Sequence, residues 1–459
     1  ASGIFGALSI IVLYRLARSM TGSDRAALTS AAILATAPVM FVESKLCTVD
    51  AALLFWLLVC FRALWHMVEG TAGRLEKICF WAALALAGLT KGPVALAAVF
   101  TPVLIMTALG RDRSFLKRMG WAWGVPLTLA ITAPWLIAVQ AKTGGEFLRS
   151  ALPKHVIGRS LSAMEGHSGF PGFYVATLFG TFFPWAFFVP GAIWDACKGI
   201  RARKREVFLI SWVVGLIIVL EFVSTKMVHY ALPVFPALSI LVALFLARRA
   251  VDDRLTKAGA GAAFVMALIL AATPAAAAWK AGMVAAIYPL AGAGAILAVA
   301  MARALSRSRH GGFPAAAFAA MFGWLFIMGA WALPIVGSYG ATPAILEAVS
   351  RAKEAAGADA AVASVGYEEP SLVFGLGGKV EFLSGPRDFL SDGVSAAPRI
   401  LLLSSRREGL LGGLDKRVLV AADWVEGFNL TKGRREEICL FYDWGAPAAD
   451  DVHDTGAIE

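Results

Sequence analysis

Long apolar runs, each closed by a short polar or basic stretch, recur from residue 3 to residue 336. Twelve of them lie at roughly 3–19, 26–42, 51–68, 78–91, 93–109, 121–139, 171–194, 207–223, 231–247, 258–275, 283–302 and 313–336. A bilayer core about 30 Å thick is crossed by about 20 apolar residues in a helix. Backbone polar groups in lipid must be paired within their own segment, so the runs are expected to be helical. The pattern therefore predicts about twelve spans, with 78–91 and 93–109 short and closely joined. Past residue 336 the period changes. PAILEAVSRAKEAA (343–356) has helical spacing, and AVASVG, KVEFL, RILLLSS, RVLVAADW and EICLFYDW read as short strands between turn residues. The tail from Gly445 is acidic and expected to fray. The fold class is thus a polytopic α-helical membrane protein, 1–336, followed by a small α/β domain, 337–459.

Composition agrees with this reading. Apolar residues make up 58% of the 459 and charged residues only 16%, too few to solvate a soluble chain of this length. The net charge of +10 suggests a nucleic-acid partner until it is divided. Residues 1–336 hold 30 Lys and Arg against 13 Asp and Glu, whereas 337–459 hold 12 against 19. Within the membrane part, alternate loops hold 21 basic residues and the others eight, with Arg62 inside a run and counted in neither. Such an asymmetry marks the cytoplasmic side rather than a nucleic-acid site. The poorer loops and the C-terminal domain then face outward, into the periplasm. The five cysteines form no CxxC pair, and free thiols are expected.

Candidate chemistry gathers on the outer side. Asp50 opens the third run, either as a helix cap or as a carboxylate aimed into an outward cavity. Lys91, in LTKGPVAL, is either a snorkelling interfacial lysine or a cation of the site. The long loop 140–170 carries His155 and Arg159, which suit a metal, a phosphate or lipid headgroups. Lys226, His229 and Tyr230 stand at the outer entrance of the ninth run. A lysine with a tyrosine suits a phosphate oxyanion, and also an interfacial anchor. Together they place an acid, several cations and a phenol on one face, as chemistry on a phosphate-linked membrane substrate requires.

The ordered set VDAALLFW (49–56), LTKGPVAL (89–96), APWLIAV (133–139), HVIGR (155–159), HSGFPGFYVATLFGTFFPW (167–185) and STKMVHYALPVFPAL (224–238) resembles polyprenyl-phosphate-dependent GT-C glycosyltransferases of family 39/83. The likeness is nearest to the lipid A aminoarabinose transferases and more distant to the protein O-mannosyltransferases. It implies thirteen spans, a periplasmic C-terminal domain and an acidic first outer loop. Twelve runs starting outside fit that plan with a first span and its loop expected ahead of Ala1. By the same resemblance, Asp50 is the catalytic candidate. Lys226, Tyr230, Arg159 and Lys91 are the donor-phosphate candidates, and His155 is the candidate ligand of a divalent ion.

The expected activity is inverting transfer of a hexosyl or pentosyl group from a polyprenyl-phosphate sugar to a lipid A-like lipid, a glycan or a protein. No cofactor is required, with a divalent ion allowed. The expected partners are the lipid-linked donor, membrane lipids and the acceptor, with no nucleic acid. Two rivals stand beside this reading. A secondary transporter would show repeated halves with matching broken helices, and a flippase or lipid-binding scaffold would use the same cations without the acid.

Overall fold

A computed structural model describes residues 1–110, 112–151, 169–200, 203–248, 254–307, 313–356, 359–391, 398–405, 420–429 and 433–443. It divides into two compact units, residues 1–273 with 292–327, and residues 274–291 with 328–459. The boundary read from the sequence at 336/337 falls inside the second unit, which also takes in parts of the last membrane helices.

Every one of the twelve apolar runs lies on helix. Seven helices are long and apolar enough to cross a membrane, and Asp24–Ala35 with Pro38–Lys45, bent by 61°, makes an eighth if the pair is one span. The other four runs are helical in less regular ways. Arg74–Lys91 holds four charges in 18 residues, and Pro93–Leu109 stops at 17. The run 171–194 is broken among Phe173–Thr181, Trp185–Phe188 and Val189–Gly199. Lys204–Phe222 brings Glu206 and Glu221 into an apolar helix. Length and composition therefore carry eight of the twelve.

Local sequence explains the breaks. Ser2–Thr21 ends on Gly22 at φ +68, and Ser23 then caps Asp24–Ala35 by accepting from the Ala26 N–H. Pro38 opens Pro38–Lys45, since a proline ring cannot continue the preceding helix but fits a first turn. Gly92 at φ +66 followed by Pro93 separates Arg74–Lys91 from Pro93–Leu109 in the same manner. Buried tryptophans tie the bundle together through their one donor each. Trp81 donates to the Met119 carbonyl at 2.7 Å, Trp185 to Thr36 Oγ1 at 3.0 Å and Trp212 to the Pro233 carbonyl at 3.0 Å. The indole of Trp212 also stacks on Phe61, with ring centroids 3.8 Å apart. These two contacts join Lys204–Phe222 to Asp50–Glu69 and to the 3₁₀ turn Val228–Val234.

The second unit carries a five-stranded mixed sheet of order β2-β1-β3-β5-β4. Its strands are β1 Ala361–Val365, β2 Val380–Phe382, β3 Arg399–Ser404, β4 Val420–Asn429 and β5 Arg434–Asp443. β1 runs parallel to β2 and β3, whereas β5 is antiparallel to β3 and β4. Helix Ala341–Ala356 packs its apolar stripe, including Ile345, Ala348 and Val349, into one core with Ile400, Leu402 and Leu440. The helix and four of the strands fall close to the segments read from the sequence, whereas β4, expected over 417–424, runs from Val420 to Asn429, with 417–419 outside the described residues. Short helices Pro370–Gly375 and Pro386–Ser391 are additions that the sequence pattern did not show. Residues from 444 onward, including the acidic tail, lie outside the described residues.

Candidate functional site

Asp50 is the first residue of helix Asp50–Glu69, and Lys91 is the last of Arg74–Lys91. The chain turns back between the two at Gly70, which takes φ +83. That turn returns Lys91 to the end of the helix pair where Asp50 starts. Lys91 Nζ donates to Asp50 Oδ1 at 2.5 Å. Each charge also sits at the helix end that favours it, the carboxylate at an N-terminus and the ammonium at a C-terminus. The N-cap position belongs to Val49, which caps nothing with its side chain, so Asp50 is a partnered carboxylate inside the first turn. Its side chain is 8% exposed and that of Lys91 is 23%.

Three further side chains close on this pair. Lys91 Nζ lies 4.2 Å from the ring centroid of Tyr230, within cation–π range. His229 packs edge-on against Tyr230 and stands 3.8 Å from Asp50 Oδ2 through Nε2. Its Nδ1 lies 3.8 Å from Oε1 of buried Glu43, whose other oxygen accepts from Thr48 Oγ1 at 2.5 Å. The turn Val228–Val234 presents His229 and Tyr230, and the Trp212–Pro233 hydrogen bond fixes that turn.

Lys226 has a different setting. Its Nζ is 2.6 Å from Glu221 Oε2 and 5.2 Å from the ring centroid of Tyr174. Lys226 and Glu221 line a cavity of about 620 Å³ with Gly169, Gly172, Ile217 and Ser224. A Cβ on Gly169 would come within 2.6 Å of Lys226 Cδ, so the backbone at 169 lies directly against the lysine stem.

Of the residues picked from sequence, then, Asp50, Lys91 and Tyr230 meet in one cluster, while Lys226 pairs with Glu221. His155 and Arg159 lie outside the described residues. Among the described residues no three His, Cys, Asp or Glu side chains form a metal-holding group. All five cysteines are free. Glu43 and Glu221 were missed as site residues. Glu43 directly follows the run 26–42 and Glu221 lies inside the run 207–223, and a carboxylate so placed is the signal by which they could have been found.

Comparison with known proteins places the fold. Two crystal structures of ArnT from Cupriavidus metallidurans, one bound to undecaprenyl phosphate and one in the apo state, superpose with TM-scores of 0.75 and 0.76. Each match covers 95% of this chain and 82% of that one at 20% identity. The chain has the GT-C glycosyltransferase fold. The GT-C resemblance read from the sequence motifs is therefore matched in three dimensions. Residues 1–137 also match the family model described as dolichyl-phosphate-mannose-protein mannosyltransferase. Curated relatives include the undecaprenyl phosphate-alpha-4-amino-4-deoxy-L-arabinose arabinosyl transferases of Erwinia tasmaniensis and Pseudomonas aeruginosa. The first is 28% identical over 244 residues, 51% of this chain and 43% of the relative. The second is 28% identical over 258 residues, 54% of this chain and 45% of the relative. The match spans a little under half the length of these relatives.

Proposed function

We propose that this chain is a GT-C glycosyltransferase that moves a sugar from a polyprenyl-phosphate donor to a membrane-side acceptor. The observation that carries the reading is the partly buried cluster Asp50–Lys91–Tyr230–His229–Glu43, at helix ends that the sequence assigns to the poorly charged face. The relatives are named for an undecaprenyl-phosphate donor, which supports the donor class. The reading places the chain in a bacterial inner membrane with its sheet-bearing unit on the periplasmic side. The acceptor is taken as a lipid A-like lipid, with a glycan or a protein hydroxyl as the other classes the chemistry admits.

The step is an in-line displacement at the anomeric carbon. A carboxylate removes the proton from the acceptor hydroxyl as its oxygen forms the new bond. The bond from the anomeric carbon to the phosphate oxygen breaks on the opposite side, and the electron pair leaves with the lipid phosphate. Asp50 orients or activates the attacking group. Lys91, Lys226 and Tyr230 supply positive charge and a phenolic donor where charge grows on the phosphate. By the sequence resemblance alone, Arg159 is proposed as a further cation for the phosphate and His155 as a candidate ligand of a divalent ion. The step requires no cofactor, and a divalent ion is allowed beside it.

The test is transfer by the protein reconstituted in proteoliposomes with an undecaprenyl-phosphate sugar and extracted lipid A. The expected result is a glycosylated acceptor and released undecaprenyl phosphate in equal amounts. Movement of intact donor across the vesicle wall without either product would favour the flippase reading instead.

A further inference from the structure

An apolar slot of about 250 Å³ lies between three helices of the membrane unit. Pro190 and Gly191 line it from Val189–Gly199, Phe245 from Phe235–Arg248, and Leu255, Gly259 and Ala262 from Arg254–Ala281. A Cβ on Gly191 would come within 2.8 Å of the Phe245 ring, and one on Gly259 within 2.9 Å of the Phe188 ring. Both rings therefore sit directly against bare backbone. Pro190, Leu255 and Ala262 are exposed, so the slot opens on the outer surface of apolar helices.

The three helices turn basic at one shared end. Glu206 Oε1 marks it, held by Arg205 at 2.7 Å, Arg248 at 3.3 Å and Arg203 at 3.5 Å. Gly199 is there too, since its Cβ would lie 3.5 Å from Glu206 Cγ. Pro190, Trp194 and Lys198 follow one another at four-residue spacing, and so share a helix face. Trp194 is 61% exposed, and Lys198 Nζ lies 5.2 Å from its ring centroid. Arg248 is one turn beyond Phe245, and Arg254 and Lys257 flank Leu255. Opposing charge is scarce. Phe235–Arg248 and Arg254–Ala281 contain no acid, Val189–Gly199 contains Asp195, and Glu206 balances one of its three guanidiniums.

We infer that this slot is a binding site for an anionic phospholipid of the cytoplasmic leaflet, with one acyl chain in the slot and the headgroup phosphate on the basic rim of Lys198, Arg248, Arg254 and Lys257. Basic pockets between membrane helices on the cytoplasmic side hold such headgroups. A zwitterionic lipid would fill the slot and leave the rim uncompensated, and a soluble anion would meet the rim and leave the slot empty. The choice of leaflet rests on the 21-to-eight split of basic loop residues. The site is separate from the Lys226 cavity, because Glu206 and Glu221 lie about 22 Å apart along one helix. It does not depend on the glycosyltransferase reading.

Native mass spectrometry of the detergent-purified protein tests this with dioleoyl phosphatidylglycerol, dioleoyl phosphatidylcholine and undecaprenyl phosphate as probes. Wild type is expected to retain its first phosphatidylglycerol at least roughly fivefold more tightly than phosphatidylcholine, the worth of one cation near an anionic headgroup. Lys198→Gln with Arg254→Gln should lower that ratio by roughly fivefold for each cation removed, to a floor of one. Ala262→Trp, which fills the slot and leaves the charges, should weaken both phospholipids alike. An unchanged ratio in the double variant, or undiminished binding in Ala262→Trp, overturns the assignment. Should the variants fail to fold, equal retention of the two phospholipids by wild type overturns it as well. Displacement of phosphatidylglycerol by equimolar undecaprenyl phosphate would give the slot to a polyprenyl tail and overturn the phospholipid site.

Discussion

Asp50 and Lys91 are 41 residues apart in sequence and form one ion pair, 2.5 Å from Nζ to Oδ1, across the open end of a helical hairpin. The pair couples two candidates that could each have been an ordinary membrane-edge residue. A helix cap would have spent the carboxylate on backbone N–H groups, and a snorkelling lysine would have extended into the headgroups. Here each is held by the other, with the ring of Tyr230 against Lys91 and His229 beside Asp50.

Asp50→Asn is expected to lower transfer by at least roughly tenfold, given that acid–base and charge roles are typically worth about 10²–10⁴-fold. Asn caps helices about as well as Asp, so a mere cap would leave turnover intact. Removing one partner of a buried pair also strands the other, a loss of about 3–5 kcal/mol where burial is complete. The exposure of Lys91 places the effect here below that range. Turnover and melting temperature in detergent, measured together for Asp50→Asn and for Asp50→Asn with Lys91→Met, separate the two effects. Recovery of stability without activity in the double variant is the expected pattern.

Lys226→Ala should weaken use of the lipid donor by roughly ten- to a hundredfold, from loss of a charge-assisted hydrogen bond worth about 1.5–3 kcal/mol. Tyr230→Phe should cost less, since it removes one neutral donor and keeps the ring under Lys91. Donor titrations at saturating acceptor check both. Wild-type donor kinetics in Lys226→Ala would remove Lys226 from the phosphate site.

Gly124→Ala should destabilise the membrane unit by about 1–3 kcal/mol through overpacking. A Cβ at residue 124 would fall within 2.0 Å of Trp81 Nε1, and that indole is fixed by its bond to the Met119 carbonyl. Thermal unfolding in detergent reads the loss. A second change, Trp81→Phe, should relieve the clash and recover part of it, less the lost hydrogen bond.

Reporter fusions after Gly110 and Lys204 are expected to read cytoplasmic, and fusions after Gly145 and Gly340 external. The basis is the 21-to-eight split of basic residues between alternate loops. A cytoplasmic signal at Gly340 would overturn the proposed outer placement of the sheet.

In the sheet-bearing unit, Asp359 lies 2.6 Å from Lys353 Nζ and 3.1 Å from Lys379 Nζ. Their hydrogen bonds and charges hold its carboxyl below the usual carboxylate range. A lowered folded-state value stabilises the fold above the unfolded-state value, about 3.9, and the contribution is lost as pH falls through the folded one. Acid titration of amide exchange in β1 and β2 should therefore show a step in wild type that Asp359→Asn lacks.

Much of this was legible in the apolar pattern. Span after span, runs such as 51–68 and 231–247 became helices within a few residues, because in lipid no other backbone state pairs its own polar groups. The strands from AVASVG to EICLFYDW were equally plain, since alternation with turn residues between leaves little choice. The count of twelve was less secure at 78–91, 93–109, 171–194 and 207–223. There charges or short breaks interrupt the apolar run, and the packing of neighbours, with Trp212 bound to the Pro233 carbonyl, carries the helices instead.

For the site, sequence alone supplied the expectation of which residue types stand on which face: one acid, several cations and a tyrosine on the side with few basic loops. It could do so because side preference is set by charge and hydropathy, which are local. Only the tertiary structure decided the pairing. Lys226 and Tyr230, four residues apart, separate into different clusters, while Asp50 and Lys91 converge across a helical hairpin, and Glu43 and Glu221 enter as partners. A carboxylate's partner depends on where helices end and on the angle at which they cross, and those are properties of the packed bundle rather than of any stretch of chain.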